Sequence, residues 1–213
     1  MVRVSCPSNC EYLESNSDYQ QKRIGDRFAL DRRAFYQDLF ALGGDKAAGF
    51  FNLVEVVTFT YFQGRHDGQD GEVIAAIQAL RRSVSPLHVP GGPQPVFAEH
   101  LKKEYELFLK QQPQHGVDAS LAVDVLDRAM KFVEGFSGGG LQSQRFLNGL
   151  IGYIKSHHPD VAAHLTRHAD AGGRVVVPGT FPMPSAGPMP GAMPPHEHGP
   201  HCEHHQHGPG HRH

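Results

Sequence analysis

The sequence has little of what would commit it to the commonest functional classes. Its 213 residues hold 20 Lys and Arg against 22 Asp and Glu, a formal net charge of −2 with histidine neutral. No excess of basic charge is present to hold a polyanion, so nucleic acid is not an expected partner. Three cysteines are too few to staple a chain of this length with disulfides. No apolar run reaches the roughly eighteen residues that a membrane span requires, so no membrane partner is expected. The opening Met1-Val2-Arg3-Val4-Ser5-Cys6 has no apolar stretch of the secretory kind. The expected compartment is therefore the reducing cytoplasm, where thiols stay free or hold metal.

Catalytic signatures are missing too. There is no nucleophile elbow, no phosphate-binding loop and no His-Glu-x-x-His. Gly138-Gly139-Gly140 follows an apparent helix rather than a strand, so it is a linker and not a dinucleotide fingerprint. Glu55 stands out as an internal carboxylate lodged among apolar residues, and a paired glutamate is the expected explanation. A metalloenzyme centre built from His100, His115 or the 157–168 region ranks low, because the Glu-x-x-His repeats of two-metal bundles do not occur. No enzymatic activity is expected.

What the chain does have is periodicity and histidine. Between 18 and 172, seven segments read as helices: 18–42, 46–62, 72–84, 96–111, a stretch capped by Asp118, 141–156, and a last one opened by Pro159. Phe28, Leu30, Phe35, Leu39 and Leu42 are the expected inward positions of the first. Residues 46–62 are rich in β-branched and aromatic side chains, which favours strand by propensity. The run is too long for an ordinary strand, so a central buried helix is expected. The fold class that follows is all-α, a single bundle of six to seven helices joined by short glycine- or proline-containing turns.

Four regions result. Residues 1–17 carry Cys6 and Cys10, 18–172 form the helical domain, 173–195 are rich in Pro, Met and Gly, and 196–213 are rich in histidine. The composition beyond 172 cannot build a packed core and is expected to be disordered.

Sixteen histidines are present, eight between His66 and His168 and eight in the last eighteen residues. The tail offers His196, His198, His201, Cys202, His204, His205, His207, His211 and His213. Neutral imidazole is a borderline ligand suited to Ni, Zn, Cu and Co, and the Cys202 thiolate adds a softer donor. Glycine and proline between the ligands keep the chain open and allow many coordination registers. Vector-derived tags are uninterrupted histidine runs, whereas Gly, Pro, Glu, Gln and Arg intervene here. This tail resembles those of nickel-handling accessory proteins in urease and hydrogenase assembly, without implying their pathway for this chain. The likeness covers the tail alone, since no nucleotide-binding Gly-Lys-Thr loop accompanies it.

Two further metal candidates lie outside the tail. Cys6 and Cys10 are spaced to share an ion or to form a disulfide. A structural zinc site needs four ligands, so partners would come from elsewhere, with His66 and His88 as candidates. His157, His158, His164 and His168 form the other group, in which His164 and His168 are one helical turn apart. Met183, Met189 and Met193 add thioethers suited to Cu(I).

The leading expectation is a protein that buffers or delivers Ni or Zn, with Cu or Co as competitors, handing the ion to a protein recipient. The alternative is a helical interaction or assembly module, self-associating through its aromatic segment, on which the tail is an appendage.

Overall fold

A computed structural model describes residues 11–65, 67–86, 94–140 and 142–170. They form six helices: α1 (Glu11–Phe62), α2 (Asp70–Val84), α3 (Val96–Gln111), α4 (Ala119–Ser137), α5 (Arg145–His157) and α6 (Pro159–Asp170). A 3-10 turn, Pro113–His115, links α3 to α4, and no strand occurs among the described residues. The all-α expectation holds.

The first two sequence segments are two arms of one element. α1 is broken at Gly43 and Gly44, and Gly44 takes φ +60, a left-handed conformation open to glycine. Across this break the arms fold back on each other. Arg32, eleven residues before Gly43, meets Glu55, eleven after Gly44. Tyr36 and Phe51, each seven residues from the break, bring their rings to 5.8 Å. α1 is thus an antiparallel helical hairpin. It also begins at Glu11, seven residues ahead of the sequence-based start.

The second arm is the centre of the molecule. Every residue from Phe50 to Phe59 is buried, and a helix apolar all round belongs inside a core. This settles the choice between strand and helix: the β-favouring side chains answer to burial on all sides. Thr58 satisfies its buried hydroxyl by donating to the Val54 carbonyl at 2.7 Å.

Leu30 is a correction. It is 71% exposed, because Phe28, Arg32, Phe35, Tyr36 and Leu39 define the inward stripe and Leu30 falls on the opposite side. An arginine, not a leucine, holds the inward position.

Helix ends follow from local chemistry. Asp118 caps α4 by accepting from the Leu121 N–H at 2.9 Å. Gly138 closes α4 with φ +72. α5 starts at Arg145 rather than 141, because Asp70, at the start of α2, caps it from outside. The Asp70 carboxylate accepts from Phe146 N–H and Leu147 N–H, each at 3.1 Å, and from the Ser137 hydroxyl at 2.7 Å. Asp70 is completely buried, and the residue that opens α2 thereby joins it to α4 and α5. The first arm of α1 crosses α5 at Gly25, where a Cβ would stand 2.8 Å from the Gly152 carbonyl carbon. Among the described residues, no helix is long and apolar enough to cross a membrane.

Candidate functional site

The sequence-predicted metal ligands divide by where they lie. Cys6, Cys10, His66, His88, the three tail methionines and all residues from His196 to His213 are outside the described residues. His164 and His168 are four positions apart on α6, and His164 is exposed. His157 ends α5, and His158 forms the junction with α6. Among the described residues, no group of three or more His, Cys, Asp or Glu side chains is placed to hold a metal ion. His115 is exposed on the 3-10 turn. His100 stands on α3 with its ring 5.4 Å from Tyr61, and burial lowers its pKa below the ordinary imidazole value.

His157 nevertheless has a defined setting. Its Nδ1 is 3.3 Å from the Tyr153 carbonyl oxygen, and its Nε2 is 3.3 Å from Asp26 Oδ1. Both ring nitrogens therefore face acceptors, while a neutral imidazole carries only one N–H. A neutral ring can donate to either of them, and through these contacts His157 ties α5 to the first arm of α1. Asp26 was not recognisable from sequence, because nothing local ties it to a residue on α5.

Beneath these contacts lies a polar network through the core. Tyr153, whose ring stacks on His157 at 5.0 Å, brings its hydroxyl 3.0 Å from His158 Nε2 and accepts from Arg32 Nη1 at 3.2 Å. Arg32 then grips Glu55, donating from Nε at 2.8 Å and from Nη2 at 2.7 Å. The Tyr36 hydroxyl completes the set by donating to Glu55 Oε2 at 2.6 Å. Arg32 also lies over the faces of Tyr36 and Tyr153, at 4.2 and 4.9 Å, a desolvated cation held between two rings.

The electrostatics follow from burial and partners. Burial is the largest single influence on Arg32 and opposes its charge, but Glu55 together with Tyr36 and Tyr153 outweighs it and holds the guanidinium above its ordinary pKa. Burial pushes the Tyr36 phenol well up, and Glu55 adds to the effect. Tyr153 is raised by burial, with Arg32 acting against it. His158 is lowered by burial first, then by Arg32 and His157. A neutral His158 suits the Tyr153 contact, since its Nε2 can then accept from the phenol.

Glu55 is thus paired, as expected, and with four hydrogen bonds from Arg32 and Tyr36 it is fully engaged in structure. It is not the lone buried carboxylate: Asp70 and Glu104 are buried as well, and Glu104 Oε2 has no hydrogen-bond partner among the described residues. Arg32 was detectable in principle, as a charge in register with the Phe28 and Tyr36 stripe.

No protein-family model, no curated protein and no solved structure matches this chain.

Proposed function

We propose that the protein binds transition metal ions through residues 196–213 and buffers or delivers them, with Ni(II) or Zn(II) as cargo and Cu and Co(II) as competitors. The observation that carries this reading is eight histidines and Cys202 within eighteen residues, separated by Gly, Pro and acidic or polar residues. No residue set of comparable ligand density occurs elsewhere in the chain. The helical bundle serves as the scaffold from which this segment departs after α6.

A ligating imidazole must be neutral, and its reference pKa is about 6.5. Protons and metal therefore compete, and binding by several histidines weakens steeply as pH falls below about 6. Many registers of similar ligands give exchangeable rather than permanent binding, which suits a buffer or donor.

Equilibrium dialysis against Ni(II) and Zn(II) tests the proposal, comparing the intact chain with one ending at Pro195. Loss of most bound metal on truncation is the expected result. Equal uptake by the two would overturn it.

A further inference from the structure

A cleft of about 530 Å³ runs between the first arm of α1 and α4, with Phe28 standing between its Phe136 and the Tyr153 of the polar core just described. We propose that it binds an amphipathic organic anion, a carboxylate on an apolar body.

The floor is aromatic. Phe35 and Phe132 stack with centroids 4.5 Å apart and planes within 4°, and Phe136 continues the surface beside them. Phe132 and Phe136 are half-buried, so the edge of this aromatic cluster is open to a ligand. Room above it is left by small residues on both walls, Ala34 on α1 and Gly135 on α4. A Cβ at Gly135 would meet nothing within 4 Å.

The rim is cationic in excess. It holds Arg27, Arg128, Lys131 and Arg145 against Asp31 and Asp38. The two carboxylates are engaged, Asp38 with Arg128 at 2.6 Å and Asp31 with Arg27 at 3.9 Å. Lys131 on α4 and Arg145 at the start of α5 make no ion pair among the described residues. In a chain of net charge −2, two cations without an ion pair among the described residues, beside a half-buried aromatic floor, select an anion with an apolar portion. The volume falls in the range of small-ligand sites, about 300–1,000 Å³. From Arg27 to Asp38 the α1 wall spans roughly 16 Å at 1.5 Å per residue, enough for an extended acyl chain. Arginine and lysine at the rim offer charge-assisted hydrogen bonds to a carboxylate.

Calorimetric titration of the intact chain with dodecanoate, below its micellar concentration and with EDTA present, tests the proposal independently of metal binding. The expected result is saturable binding at one site, with dodecyltrimethylammonium weaker by about tenfold or more. The K131E/R145E double variant should lose about tenfold in affinity. Gly135→Leu should abolish binding by filling the cleft, while its unfolding midpoint stays equal or rises, since leucine favours helix over glycine. Absence of dodecanoate binding, equal binding of the cationic amphiphile, or unchanged affinity in the double variant or in Gly135→Leu would each overturn the proposal.

Discussion

Arg32 Nη2 lies 2.7 Å from Glu55 Oε2, and both side chains are only 2% exposed. This ion pair joins the two arms of the α1 hairpin at the level where Tyr153 of α5 reaches in. Breaking such a pair leaves one charge buried without a partner, at a cost of about 3–5 kcal/mol. Glu55→Leu or Arg32→Met alone should therefore lower the free energy of urea unfolding by about that amount. The double variant should recover most of the loss, because no orphan charge remains. Additive losses in the double variant would contradict this role for the pair.

Asp70 is expected to be nearly as important. Asp70→Ala removes the acceptor for two α5 N–H groups and for the Ser137 hydroxyl, all buried. Loss of a cap together with unsatisfied donors should cost about 3 kcal/mol. Ser137→Ala, which leaves the α5 cap in place, should cost about 1 kcal/mol. Thermal unfolding followed by circular dichroism ranks the two.

Glycine positions provide a matched test of packing. At Gly25 an added Cβ would lie 2.8 Å from backbone atoms of Gly152 and Tyr153, so Gly25→Ala should destabilise by about 1–3 kcal/mol. Gly49, in the second arm, has nothing within 4 Å of its virtual Cβ. Gly49→Ala should stabilise by about 0.5–1 kcal/mol through helix propensity. Denaturation midpoints moving the same way in both variants would contradict the packing described.

Stability should also fall at both ends of the pH scale. His100 and His158 have lowered pKa values in the folded state, chiefly through burial. The unfolded chain takes up their protons first, so their contribution is present above about pH 6.5 and is lost as pH falls below it. Tyr36, Tyr105 and Tyr153 are raised, again chiefly through burial. The unfolded chain ionises these phenols first, so stability declines as pH rises above about 10. Chemical denaturation across the pH range should show a plateau between these limits, and a His158→Asn variant should soften the acid limb.

Much of this architecture was legible along the chain. Phe28, Phe35 and Leu39 recur at helical spacing and are buried; Asp118 and Pro159 open helices where their chemistry allows. What local pattern could not supply was pairing between distant residues. Leu30 looked inward because it is apolar, but Arg32 had a partner 23 residues away that repaid its burial. The start of α5 was placed four residues early because the carboxylate that caps it lies 76 residues upstream of Phe146. Likewise, the Asp26–His157 contact joins residues whose neighbours in sequence give no hint of it. The histidine-rich segment is the reverse case: the metal binding proposed for it rests on composition alone, on ligand type and density.

The most direct test of metal handling is calorimetric titration of Ni(II) into the intact chain and into one ending at Pro195, at about pH 7.5 and about pH 5.5. The intact chain at the higher pH should release heat with saturation, and that heat should largely vanish on truncation and on acidification. No heat with the intact chain near neutral pH, or the same heat from the truncated chain, would contradict a histidine-rich segment that captures metal.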